Sequence, residues 1–238
     1  MEDGLCDDFR LTIYELRFFG LMNLEYSIFE DFYEIGIIPV LEIDSVERAN
    51  PLVEALQAGG LPIAEVTLRT DAALESIRVI AREVTGVIVG AGTVVNREQA
   101  ESAREAGARF LVSPGMVDEV VVWAQENSIP ILAGAVTPSE MIRGINLGLN
   151  ILKFFPAEAM GGIKAIKAIS DPFPQLRFIP TGGIQLANVA EYLQMEKIHA
   201  VGGSWMAKHE MIAEGRFDEI THLAKQASDL VKQIRRPL

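Results

Sequence analysis

The strongest constraint on how this chain folds is a regular alternation: eight short β-branched runs, each followed by a segment of helical periodicity. The runs are IIPVLEI (37–43), IAEVTLR (63–69), VIVGAGT (87–93), RFLVS (109–113), PILAGA (130–135), NILKFF (150–155), RFIPT (177–181) and HAVGGS (199–204). Strands separated by helices join through right-handed crossovers into a parallel sheet. Eight such units in 238 residues predict an α/β protein folded as a single (β/α)8 TIM barrel, a fold that takes about 250 residues. An open, doubly wound sheet is the other arrangement of the same elements.

The helical segments carry their own signals. Asp71 is placed to cap a helix whose Leu74, Ile77, Ala81 and Val84 share a face, and Asn96 precedes Ala100, Ala103 and Ala106. Thr137-Pro138-Ser139-Glu140 has capping-box spacing with proline at the first helical position. A helix over about 45–58 contains Pro51, which predicts a kink or a later start. Two helices are added to the barrel: Leu24 to Ile35, covering its bottom, and a final one with the stripe Phe217, Ile220, Ala224, Ala227, Val231 and Ile234. The expected domain is 22–238, with 1–21 an extension ahead of a second methionine, Met22.

Composition narrows the function. No segment approaches the ~20 apolar residues that span a bilayer, so no membrane partner is expected. With 21 basic against 33 acidic residues the net charge is −12, which repels nucleic acid. The single cysteine, Cys6, has no internal disulfide partner, and MEDGLCDD places acids where a secretory signal carries basic residues; a cytoplasmic protein is expected.

In a barrel the chemistry stands at the carboxyl ends of the strands. Side chains alternate along a strand, so Glu65, Thr67 and Arg69 face one way and Ala64, Val66 and Leu68 the other. With the apolar set against the helices, Glu65 and Arg69 point inward; a structural ion pair accounts for that pattern as well as a functional one does. Lys153 and Phe155 likewise oppose Leu152 and Phe154, directing Lys153 inward, and all six other lysines fall on helices or their ends. A strand-edge lysine reaching out to water is the plainer reading of Lys153 alone. An ordinary lysine keeps its proton to about pH 10.4, so presenting it neutral at pH 7 costs roughly 4.6 kcal/mol. Burial and a nearby cation such as Arg69 reduce that cost, and a neutral amine attacks carbonyl carbon to form an imine. The imine accepts electrons from a breaking carbon–carbon bond, a step for which Glu65 is available as proton shuttle.

PTGGI (180–184) ends the seventh run and GGSWM (202–206) the eighth, where barrels bind phosphate. Backbone N–H groups of Gly182, Gly183 and Gly203 and the hydroxyl of Ser204 suit an anion. Thr93 and Pro114 fall at strand ends and either shape the pocket or serve as turn residues.

EVTLRT, GAGTV, SPG, KFFPAE, PTGGI and GGSW, in that order over residues 36 to 228, resemble the Schiff-base (class I) aldolases acting on 2-keto-3-deoxy-6-phosphogluconate (KDPG) and 4-hydroxy-2-oxoglutarate (KHG). The resemblance implies that Lys153 forms the imine and that Glu65 moves protons through a water. It implies that Arg69 binds the substrate carboxylate beside Thr93, that Phe155 and Pro114 line the pocket, that Gly182, Gly183 and Ser204 hold the phosphate, and that Thr181 lies close to the substrate. It also implies a homotrimer, a small keto-acid substrate and no cofactor or metal. The TLRT arginine, Arg69, favours the gluconate type over the related galactonate type. The sequence departs from the family in its long amino-terminal segment and in AGAVTPSE (133–140). A phosphate-binding isomerase would use the same glycine turns without needing Lys153, and a phosphosugar sensor would bind without a covalent bond. A metal-dependent aldolase needs histidine and carboxylate ligands clustered at strand ends, whereas His209 and His222 fall on helical segments and His199 at the start of its run.

Overall fold

All eight β-branched runs form strands, trimmed by turns at their ends. They are β1 (Ile37–Leu41), β2 (Ile63–Thr67), β3 (Ile88–Gly92), β4 (Leu111–Val112), β5 (Ile131–Leu132), β6 (Ile151–Phe154), β7 (Arg177–Pro180) and β8 (Val201–Gly203). The structure is a computed structural model that describes residues 28–235. The expected 1–21 extension and residues 24–27 of the expected first helix lie outside the described residues.

Every strand pairing is parallel. The order β5-β4-β3-β2-β1-β8 makes one six-stranded sheet and β6-β7 a second, two-stranded one. Single parallel bridges lie at the seams: Gly134 with Lys153, Phe178 with Ile198 and Thr181 with Gly202. The result is an α/β fold built on a curled parallel sheet.

Alternation along the strands divides the core. Ile38, Ile63, Phe110, Val112, Leu132 and Ile179 form one cluster with Ile28 and Phe32 from α1, the helix at 28–35. Burying Phe32, whose ring meets Phe110 edge-on, contributes about 2–3 kcal/mol. Ala64, Val66, Leu152 and Phe154 belong to the second, larger cluster, shared with the helices.

Those helices are α2 (Ala49–Ala58), α3 (Ala73–Glu83), α4 (Arg97–Glu105), α5 (Asp118–Glu126), α6 (Pro138–Asn146), α7 (Gly162–Ser170), α8 (Val189–Leu193), α9 (His209–Ala213) and α10 (Phe217–Arg235). Of the two outcomes expected of Pro51, the structure has the later start: α2 begins at Ala49. A short 3-10 turn, Val46–Arg48, precedes the helix, so the proline falls in the first helical turn, where no backbone donor is needed. Asn96 and Thr137 cap α4 and α6 as expected, Thr137 with the full reciprocal box to Glu140. Asp71 does not cap α3: Ala72 holds the cap position, and the buried face is Ala73, Ser76, Ile77 and Ile80, with Ala81 exposed. On α10 the stripe Ile220, Ala224, Ala227 and Val231 is buried. Among the described residues no helix is long and apolar enough to cross a membrane.

Candidate active site

The carboxyl ends of the strands enclose a cavity of about 180 Å³. All eleven residues singled out in the sequence line it: Glu65, Arg69, Thr93, Pro114, Lys153, Phe155, Thr181, Gly182, Gly183, Gly203 and Ser204. A larger cavity, about 460 Å³, opens at the opposite end beside Phe29, Gln125, Asn150 and Arg177. Ligands of parallel α/β sheets bind at the carboxyl ends, and of these two cavities it is the smaller that has a lysine in its wall.

Lys153 comes from the middle of β6 and Glu65 from the middle of β2, and both are buried, 6% and 3% exposed. Nζ of Lys153 lies 3.3 Å from Oε1 of Glu65 and 5.2 Å from the centroid of the Phe155 ring. A buried ion left alone costs several kcal/mol, so the two groups hold each other in place. The carboxylate has room because Gly92 of β3 lies alongside; a Cβ there would stand 2.3 Å from Oε1.

Arg69 departs from expectation. β2 ends at Thr67, so Arg69 belongs to the following turn and its side chain is 52% exposed. The charge paired with Lys153 is Glu65, and Arg69 lines the same cavity with its side chain half exposed. Its Nε donates to Oγ1 of Thr67 at 3.1 Å, and its guanidinium meets Glu42 at 2.7 Å. The Thr67 hydroxyl in turn donates to the Leu41 carbonyl at 2.8 Å. Neither Glu42 nor Thr67 was singled out in the sequence as a site residue. Glu42 is the next-to-last residue of IIPVLEI, and it becomes readable once β1 and β2 are known to pair, Val40 opposite Glu65. Val40 and Ile184 also line the cavity without having been singled out. Glu42, Asp44 and His209 approach one another closely enough to share a cation, yet Glu42 is already paired with Arg69 and Asp44 lies 3.1 Å from His209.

Thr93 adopts φ 62°, a region that disfavours a β-branched residue, and such strain concentrates at functional sites. On the far wall Gly182 and Gly183 have φ 99° and 79°, successive left-handed residues that make a turn only glycine enters freely. Ser204 follows β8 directly. The arrangement sets a buried amine against a carboxylate, with a guanidinium and a glycine turn suited to an anion along the same cavity.

A parallel α/β sheet with a lysine and a carboxylate paired in a cavity at its strand ends has the layout of an α/β enzyme. The chain belongs to the KDPG and KHG aldolase family, whose pattern matches residues 28–223. It is 46% identical over 196 residues to the KHG/KDPG aldolase of Escherichia coli K12, covering 82% of this chain and 92% of that one. It is 47% identical to the 2-dehydro-3-deoxy-phosphogluconate aldolase of Pseudoalteromonas atlantica, covering 86% and 95%. The fold superposes with a TM-score of 0.80 on the KDPG aldolase of Legionella pneumophila, solved with pyruvate captured as a covalent carbinolamine; the sequences are 42% identical, covering 82% of this chain and 95% of that one.

Proposed function

We propose that this protein is a Schiff-base aldolase that cleaves KDPG to pyruvate and glyceraldehyde 3-phosphate, KHG to pyruvate and glyoxylate, or both. The observation that carries this reading is the buried Lys153–Glu65 pair at 3.3 Å within a cavity that also holds a guanidinium and a glycine turn. The named relatives, and the pyruvate bound covalently in one of them, support it.

In this reading Lys153 is the nucleophile and Glu65 the proton carrier. Nζ of Lys153, its proton passed to Glu65, attacks C2 of the keto acid, and Glu65 returns that proton to the carbinolamine hydroxyl, which leaves as water to give a protonated imine. Glu65 then takes the proton of the C4 hydroxyl. The C3–C4 electrons move onto the imine nitrogen, and the aldehyde departs. The enamine is protonated at C3, and water hydrolyses the imine to pyruvate and the free amine. Arg69 with Thr93 holds the pyruvyl carboxylate, Phe155, Pro114 and Thr181 shape the cavity, and Gly182, Gly183, Gly203 and Ser204 hold the phosphate.

The eight strands act as one closed (β/α)8 barrel in this reading, supported by the single bridges at both seams. The catalytic domain is 22–238 and the active form a cytoplasmic homotrimer. Exposed Val122 on α5 and Ile142 on α6, helices joined by the Arg143–Asp118 ion pair, provide apolar surface for subunit contact. Lactate-dehydrogenase-coupled release of pyruvate from KDPG and from KHG tests the activity: turnover of at least one is expected, and release from neither overturns the reading.

A further inference from the structure

We infer that Tyr192 and Glu158 form a positioning pair that fixes the Gly182–Gly183 turn and thereby sets the preference for a phosphorylated over an unphosphorylated keto acid. The inference rests on the reading that this turn holds the phosphate.

Tyr192, on α8, is fully buried, and a buried phenol hydroxyl requires a partner. It donates to Oε1 of Glu158, in the segment that leaves β6. The stem of Glu158 lies directly against the turn, since a Cβ at position 183 would meet Cβ and Cγ of Glu158 at 2.6 Å. The two backbones are also joined: Ala157 N–H donates to the Thr181 carbonyl at 2.8 Å and Glu158 N–H to the Gly182 carbonyl at 3.1 Å. The segment after β6 and the glycine turn thus form one unit, which the Tyr192 hydroxyl ties to α8. The same helix holds the turn a second time, one helical turn earlier. Asn188 donates from Nδ2 to the Gly183 carbonyl at 3.2 Å and accepts the Gln185 N–H at 2.8 Å. Burial, then the hydrogen bond to Glu158, pushes the phenol well above its ordinary value of 10.0, so it remains a donor at neutral pH. Neither Tyr192 nor Glu158 lines the cavity around Lys153. Their influence reaches the substrate through the turn, at its phosphate end.

The test is steady-state kinetics of Tyr192→Phe with KDPG and KHG, together with borohydride trapping by pyruvate. Loss of a hydrogen bond to a charged group should raise the KM for KDPG about tenfold. The constants for KHG and the yield of trapped pyruvate should stay within about twofold, because the amine is untouched. Glu158→Ala should reproduce the split, and it supplies the readout should the phenylalanine variant fail to fold. Glu158→Gln, which keeps an acceptor for the phenol, should stay near wild type. Ser204→Ala separates the two levels of the argument. If it raises the KM for KDPG while Tyr192→Phe and Glu158→Ala do not, the positioning role is overturned and the phosphate reading stands. If Ser204→Ala leaves that KM unchanged, the phosphate reading fails and this inference with it. Equal losses on both substrates overturn the inference by showing a merely structural role.

Discussion

A Cβ at position 92 would lie 2.3 Å from Oε1 of Glu65, so the carboxylate beside Lys153 keeps its place only while residue 92 is glycine. Gly90, two residues earlier on β3, has an equally tight neighbour of another kind, the Phe110 ring at 2.5 Å in the inner core. The two positions therefore separate activity from stability. Gly92→Ala should lower kcat tenfold or more by displacing the proton carrier, a loss of about 1.4 kcal/mol or more of transition-state stabilisation. Gly90→Ala should lower stability by about 1–3 kcal/mol through overpacking, with kcat unchanged at temperatures where the protein stays folded. Paired kinetics and melting curves check both, and a reversed pattern would contradict the assignment of Glu65.

Removing the charge of Glu65 while keeping its shape isolates its proton transfer. Glu65→Gln should lower kcat for both keto acids about 100-fold or more, with KM altered no more than about threefold. An unchanged kcat would take Glu65 out of the chemistry and leave it as a counter-ion alone.

The capping box of α6 makes a prediction about stability and its pH dependence. Burial pushes the Glu140 carboxyl upward, but hydrogen bonds from the Val136 N–H and from the hydroxyl and N–H of Thr137 outweigh it and hold the group below its ordinary 4.5. A carboxyl depressed in the fold contributes stability that is present above its unfolded value and lost as the pH falls through its folded one. Thr137→Ala should therefore cost about 1 kcal/mol at neutral pH, about 2–4 °C in Tm, and the gap to wild type should narrow below pH 4.5.

His199 predicts a second acid effect, with its source at the opposite end of the strands. Burial holds its imidazole below the ordinary 6.5; the hydrogen bond to the Phe29 carbonyl at 2.7 Å opposes that shift, and Arg235 and Arg177 reinforce it. The unfolded chain then takes up a proton that the folded one resists, so stability falls as the pH drops from 6.5 to the folded value and levels off below it. Thermal melts between pH 8 and 5 should show this shoulder in the wild type. His199→Gln, which retains a donor for the carbonyl, should flatten it.

Much of this site was legible because period-two alternation is strict. Leu152 and Phe154 had to join the helices, which left Lys153 facing the other way, and the same logic set Glu65 against Ala64 and Val66. What alternation could not supply was contact between segments distant in the chain. Arg69 was expected to point inward because IAEVTLR reads as one strand, but the strand stops at Thr67 and the guanidinium, half exposed, pairs with Glu42. The Tyr192–Glu158 contact, 34 residues apart, leaves no local trace. Asp71 had the chemistry of a cap, but the chain turns one residue later and buries Ser76 and Ile80 in place of Ala81. The division of the strands into six and two depends on packing at the seams, which a one-dimensional pattern does not record.

Borohydride reduction in the presence of pyruvate, followed by peptide mass mapping, shows whether the amine of Lys153 bonds covalently to a keto acid. One reduced pyruvyl adduct per chain is expected, on the peptide containing Lys153, and none in a folded Lys153→Ala variant. An unmodified wild-type protein, or an adduct mapped to any other lysine, would contradict the covalent role of Lys153.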